Sequence, residues 1–326
     1  KNVMSAYSRN VVFTLVFIGF IISNSTAQNY WSIGGQVNVA NYFGEMNPWT
    51  QYVGADPKFT RPSFMIHATR KFGRRIHVRA NFGWARLRGD DFISAAVFKP
   101  EHQPRYARNL HFRNDVKEFG ITGIFDIFPS ARRTVVRTKS PRARGRMIRE
   151  RVRWTPYVFA GVGLIIHNPR AKTPESLGGE WVALQPLGTE GQQTGLPQYQ
   201  APYSLVQPVF PVGIGVRWKL NQRIDIGVEM GLRFTLTDYL DDVGGNYPIA
   251  ADLQSDLART MSNRTLETTS AVFGTERAVV IRASDGEIRG NSNEKDTYLV
   301  TGFHVYYILG NFFRRPRFDL NRRRRF

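Results

Sequence analysis

Six histidines, His67, His77, His102, His111, His167 and His304, are scattered along the 326 residues, and there is no cysteine. No two of the histidines form an H-x-x-x-H pair, so no zinc centre is legible. No G-x-S-x-G elbow occurs. One Ser/His set of the kind used by lipid-modifying barrels is available, His167 with Ser204; His167 reads equally as a rim or lumen residue. Ala283–Asp296, ASDGEIRGNSNEKD, carries oxygen side chains and glycines as a calcium loop does, but departs from the EF-hand spacing and reads as a polar surface loop. Thr237–Pro248, TDYLDDVGGNYP, sets three aspartates beside a Gly-Gly turn, for which capping and turn chemistry suffice. The expectation is no catalytic residue, no metal and no cofactor.

The elements that would carry these residues have a period of two. In Arg223–Leu236, RIDIGVEMGLRFTL, every even position is apolar and every odd one is charged, Gly or Thr. The pattern recurs at 30–43, 62–72, 75–87, 116–128, 154–167, 208–220 and 297–310, giving eight strands of about the length a tilted membrane strand needs. Soluble sandwiches alternate too. Here, however, the non-apolar phase holds Arg79, Glu118, Arg217, Asp225, Glu229 and Arg233, as a membrane barrel's lumen does. On the lipid face near mid-bilayer each such charge would cost about 2–4 kcal/mol.

Connections alternate as well. FGRR and NQR are short, whereas about 44–61, 88–113, 168–207 and 237–296 are long. Trp31, Trp154, Trp218 and Tyr307 fall at the short-turn ends in the outward phase, and Trp84 at the opposite rim, as an aromatic girdle would. The fold expected is all-β: an eight-stranded antiparallel transmembrane outer-membrane β-barrel with long outer loops and a basic periplasmic turn and tail. A barrel of this size is filled by its own side chains, so the six charges should form a paired lumen network. A proton or substrate path through Glu229 and Arg233 is the alternative.

Composition agrees with a folded protein: 42% hydrophobic and 13% aromatic residues. Val11–Ile22, VVFTLVFIGFII, follows Lys1 and Arg9 and precedes Ser25-Thr26-Ala27, the layout of a secretory signal peptide cleaved after Ala27. An N-terminal anchor helix fits less well, since the segment is short and ends in small polar residues. The domains expected are 1–27 signal peptide, 28–313 barrel and 314–326 basic tail. Export excludes a nucleic-acid role for the basic stretches.

Five ordered motifs carry a resemblance: NYFGEMNP (Asn41–Pro48), RNLHFRNDVKEF (Arg108–Phe119), WVALQPLGTEGQ (Trp181–Gln192), TDYLDDVGGNYP, and RGNSNEKDTYLVTGFHVYY (Arg289–Tyr307). In these the chain resembles the PorG family, small outer-membrane barrels of the type IX secretion system with gliding-motility relatives. The resemblance spans nearly the whole mature chain, the two basic segments excepted. It implies a non-enzymatic component that contacts a periplasmic ring built from a lipoprotein and its ring partner, of the PorK/PorN or GldK/GldN type.

Those basic segments hold most of the formal charge of +19. Residues 128–153 have ten Lys/Arg against one acid, and residues 311–326 have seven Arg against Asp319, net +9 and +6. Arg132, Arg133, Arg137, Arg142, Arg144, Arg146, Arg149 and Arg151, with Arg314, Arg315, Arg317, Arg322 and Arg323, are the candidate partner-binding residues. Arginine suits bidentate pairing with carboxylate or phosphate. An acidic ring-protein surface, outer-membrane lipid headgroups, or plain solvation all fit. A passive pore, a lipid-modifying enzyme and an adhesin acting through the long loops remain as other functions, and Phe326 as a C-terminal assembly signal.

Overall fold

The computed structural model describes residues 30–47, 58–95, 99, 102–128, 154–221, 223–270, 272–279, 281–291 and 295–309. The signal-peptide segment, the thirteen candidate partner-binding arginines, the 314–326 tail and Phe326 lie outside these residues.

Eight long antiparallel strands close on themselves. In chain order they are β1 (Trp31–Phe43), β2 (Arg61–Phe72), β3 (Ile76–Asp90), β4 (His111–Asp126), β5 (Trp154–Ile166), β8 (Val206–Lys219), β9 (Ile224–Thr235) and β10 (Thr297–Leu309). Each pairs with the next, and β10 returns to β1 with Trp31 opposite Leu309 and Phe43 opposite Thr297. Closure removes every free edge of the main sheet. The β2–β3 turn is tight because Gly73 takes φ = 68°, a left-handed conformation that glycine adopts without steric cost. Between β5 and β8 two short strands, β6 (Pro169–Lys172) and β7 (Trp181–Ala183), extend the sheet from the upper end of β4. Among the described residues three short α-helices lie in the long loops: α1 (Asp91–Ser94), α2 (Gln103–Arg108) and α3 (Asp256–Ser262).

Burial along the barrel strands alternates. Ile33, Val37, Phe64, Ile66, Phe119, Ile121, Val162 and Phe303 face outward and are exposed. Trp31, Trp154, Trp218 and Tyr307 face outward at the short-turn end, with Trp154 directly opposite Trp218.

The strand reading departs from the sequence expectation at one end. β4 begins at His111 rather than 116, and β3 runs to Asp90 rather than 87. There the inner face turns apolar, and on β3 and β4 the outer face turns charged. Ala40, Tyr42, Ala85, Leu87, Phe112, Val116, Ile165, Val209, Tyr298 and Val300 point inward and join loop residues Met46, Leu110, Leu240 and Val243 in one buried apolar core. On β3 and β4 the outward neighbours of these residues are Arg86, Arg88, Arg113 and Asp115, whereas Ile165 and Val209 keep apolar outward neighbours. The barrel is thus inside-out within the membrane band and has an ordinary apolar interior above it. A search for apolar residues on the outward phase stops at that boundary. β6 and β7, also unexpected, are short strands inside a loop with no long alternating pattern.

Candidate functional site: a charge-packed lumen beneath a folded cap

The lumen within the membrane band is filled by paired charges. Arg79 on β3 meets Glu229 on β9 through two hydrogen bonds, Nη1 to Oε2 at 2.6 Å and Nη2 to Oε1 at 2.9 Å. The Tyr157 hydroxyl donates to the same Glu229 Oε2 at 2.9 Å, and Arg79 Nη1 reaches Tyr306 Oη at 3.1 Å. Toward the loop end, Arg233 Nε stands 3.5 Å from Glu118 Oε2, and Tyr298 donates to that oxygen at 2.9 Å. Toward the turn end, Arg217 donates to Asp126 at 3.2 Å, and His77 lies 2.9 Å from the other oxygen of that carboxylate. Five of the six lumen residues read from the sequence are therefore placed in ion pairs. Asp225 is buried in the same lumen without joining those pairs. Asp126 and His77 completed the network unseen, although their phase was legible: Asp126 lies inward between outward Phe125 and Ile127, and His77 inward between outward Ile76 and Val78. Glu229 pairs with Arg79 and Arg233 with Glu118.

Packing at this density needs bare backbone on the inner wall. A Cβ on Gly231 would stand 2.5 Å from Phe159 Cζ, and one on Gly215 2.4 Å from the Tyr157 hydroxyl. Those two glycines provide the space in which Tyr157 and Phe159 cross the lumen.

Above the apolar core, the long loops fold into a cap tied by buried arginines. Asp91, at the start of α1, accepts from Arg108 Nε at 2.7 Å, from its Nη2 at 2.8 Å and from the Leu110 amide at 3.0 Å. Arg108 Nη1 donates to the Arg289 carbonyl at 2.6 Å. Arg289 in turn donates to Glu190 at 2.7 Å and to the Asp242 carbonyl at 2.6 Å. Asp242 holds φ = 69°, which costs a non-glycine residue about 1–2 kcal/mol, and its carboxylate accepts from Tyr203 at 2.6 Å and from Thr189. Arg277 donates to the Tyr106 and Ala107 carbonyls, and Arg264 to that of Lys172. Three loops are thereby joined to one another.

A cluster of carboxylates lies under this cap. Tyr42 Oη is 2.8 Å from Asp241 Oδ2 and 2.6 Å from Asp296 Oδ1. A phenol carries one proton, so two such contacts require that one carboxyl be protonated. Glu45, Asp238 and Asp296 each bring an oxygen within 4.8 Å of the others. Burial, reinforced by neighbouring carboxylates, raises Asp241 and Asp296 well above the usual range. Burial and the Asp238 charge push Glu45 to about 8. Turn chemistry, sufficient on the sequence alone, does not account for aspartates buried this way: their neighbours arrive from Glu45 and Asp296, remote in the chain. Glu45, Asp238 and Asp296 are of the kind that hold a hard cation. The contacts formed by Asp296 and Asp241 are those of proton sharing, since the Leu240 and Val243 amides and Tyr42 occupy their oxygens.

The Ser/His set does not form. His167 Nε2 faces the Ser204 carbonyl at 3.2 Å, while Ser204 Oγ is engaged with the Val206 backbone. Burial lowers His167 to about 4, and its ring stacks on Tyr203.

No protein-family model matches the chain, and no curated protein matches it. Among solved structures it is similar to Neisserial surface protein A, at 9% identity with a TM-score of 0.37, covering 86% of this chain and 98% of that one. It is also similar to Ail, the attachment invasion locus protein of Yersinia pestis, solved with a heparin analogue, at 8% identity with a TM-score of 0.35, covering 86% and 99%. A third is the N-terminal β-barrel domain of Pseudomonas aeruginosa OprF, at 7% and 0.30, covering 86% and 100%. The barrel itself is established by the closed strand pairing, and its apolar outer wall is that of an outer-membrane barrel.

Proposed function

We propose that this chain is a non-enzymatic outer-membrane barrel of the PorG type, which anchors or organises the periplasmic ring of a type IX secretion and gliding machinery. The observation that carries the reading is a barrel filled along its length by its own side chains. Its lumen is plugged by Arg79–Glu229 and its companions, and its mouth is packed with the apolar core. Such a barrel acts through its ends and its wall. The five motifs behind the family resemblance also converge: Tyr42 and Glu45, Arg108 and Asn114, Glu190, Asp238, Asp241 and Asp242, and Arg289 and Asp296 all belong to the cap or the cluster beneath it.

In the proposed orientation the short turns face the periplasm and the cap faces outward, the arrangement usual in this class. β4 ends at Asp126, β5 begins at Trp154 and β10 ends at Leu309, all at the short-turn end, which supports the proposal that the basic segments 128–153 and 311–326 face the periplasm. Together these present the cations to a ring lipoprotein and its partner, or to headgroups of the inner leaflet. A clean deletion should abolish secretion of type IX cargo while leaving other outer-membrane proteins in place. Normal cargo secretion in that strain would sink the proposal.

A further inference from the structure

One sector of the barrel's outer wall carries a cationic patch that neither the lumen nor the cap uses. On the outward phase of β3, β4 and β6, just above the Phe82–Phe119 pair, stand Arg86, Arg88, Arg113, Lys117 and Arg170. Arg88 is directly opposite Arg113, and Arg113 directly opposite Arg170, across three neighbouring strands. Like charges placed opposite one another destabilise a sheet. Among the described residues two acids answer them: Asp115 pairs with Arg86 at 2.6 Å, and Asp90 stands 3.5 Å from Arg88. Among the described residues, Arg113, Lys117 and Arg170 have no ion pair.

The guanidinium groups are held in place. Arg113 lies over the Trp181 ring at 4.4 Å, Arg86 over Trp84 at 5.4 Å and Arg88 over Phe273 at 5.3 Å. The patch is local: the outward-phase residues nearest the loop end on the other six strands are Phe43, Pro62, Ile166, Val206, Phe234 and Thr297, none of them charged.

Height identifies the ligand's chemistry. From Ile76 to Trp84 the outward positions of β3 are apolar or aromatic, a span of roughly 20 Å at the usual strand tilt. The cations begin where that band ends, beside an interfacial tryptophan, at the level of lipid headgroups. We infer that this face binds a glycolipid of the outer leaflet that bears phosphate groups on its headgroup: its acyl chains lie along Phe82 and Phe119, and its phosphates are held between Arg88, Arg113 and Arg170. Arginine recognises phosphate bidentately, and phosphate resolves the unfavourable row of opposed cations. The inference rests on the membrane-facing wall with the cap outward, and not on the secretion role, so a failure of one leaves the other standing.

The test is native mass spectrometry of the detergent-purified chain with a bis-phosphorylated disaccharide lipid, the same lipid dephosphorylated, and inorganic phosphate as competitor. The bis-phosphorylated lipid should be retained as a one-to-one adduct. Removing its phosphates, or combining Arg88→Gln, Arg113→Gln and Arg170→Gln, should lower retention about tenfold or more. Arg70→Gln with Arg223→Gln, at the opposite rim, should leave it unchanged. Equal retention of the dephosphorylated lipid by the unaltered chain overturns the inference, whether or not the triple variant folds. So does undiminished binding by a folded triple variant, or displacement of the lipid by inorganic phosphate at equal concentration.

Discussion

Arg79 and Glu229 are joined across the full width of the barrel. β3 and β9 are four strands apart in a ring of eight, so their bidentate ion pair is a strut between opposite walls. Both side chains are 1% exposed. Breaking a buried pair on one side strands a charge, which costs about 3–5 kcal/mol. Glu229→Ala should therefore destabilise the barrel by that order, and adding Arg79→Met should recover much of the loss. The measurement is the urea midpoint followed by heat-modifiable gel mobility. A single variant as stable as the parent would show that water already screens the pair.

The filled lumen predicts electrical silence. Purified chain reconstituted in a planar bilayer should show no steady conductance, and deletion of part of the 237–296 loop should not create one, because the Arg79, Arg233 and Arg217 pairs lie below the cap. A stable ohmic current from the intact chain would contradict the packing described.

The cap hinges on Arg289, which engages Glu190 and the Asp242 carbonyl while Arg108 donates to its own carbonyl. Arg289→Ala leaves the Glu190 carboxylate buried without its cation, at a cost of about 3–5 kcal/mol. Added protease should then cut the 237–296 loop far faster, while the strands remain protected. Asp242→Asn should be milder than Asp242→Ala, since an amide oxygen still accepts from Tyr203. Equal cleavage of Arg289→Ala and parent would mean that the arginine does not tie the loops.

Acidity in the cap has a definite sign. Glu45 has an ordinary value of 4.5 and titrates near 8 in the folded chain, so the folded state holds its proton longer than the unfolded one. Stability of this region is then greatest below about 4.5 and falls as pH rises toward 8. Asp238, Asp241, Asp296 and Tyr42 surround it, and Arg108 offsets part of the repulsion. Hydrogen exchange, corrected for intrinsic rate, should show the amides of 44–47 and 238–243 opening more at pH 8 than at pH 5. Glu45→Gln should flatten that difference. Protection independent of pH would refute the proton-sharing account.

On the proposed ring contact, replacing the arginines at 132–151 by Gln should lower recovery of ring proteins in a pull-down several-fold, with the barrel still assembled in the membrane. Unaltered recovery would assign those charges to lipid contact or to solvation.

The eight strands were legible because the lipid band demands strict alternation over at least nine residues, and Arg223–Leu236 displays it without exception. The charges of the lumen were legible for the same reason, as the phase that lipid forbids. Their pairing was not: Glu118 meets Arg233 and Arg79 meets Glu229 through closure of the ring, which no local pattern encodes. The cap was the least legible part. Glu45, Asp241 and Asp296 lie far apart in the chain and share no periodicity, so only the folded loops bring them together. On β3 and β4 the rule that exposed the strands reverses above the membrane, which is why the first five residues of β4 escaped notice.

That reversal also works as a depth gauge. Sliding the barrel inward by one pair of rows, about 5 Å, would pull Arg86 and Lys117 toward hydrocarbon; sliding it outward would lift Phe82 and Phe119 into water. Either displacement is opposed, so the wall defines a single level along the bilayer normal. The short turns at the far end, among them the one at Gly73, are thereby held at a fixed distance from the membrane plane.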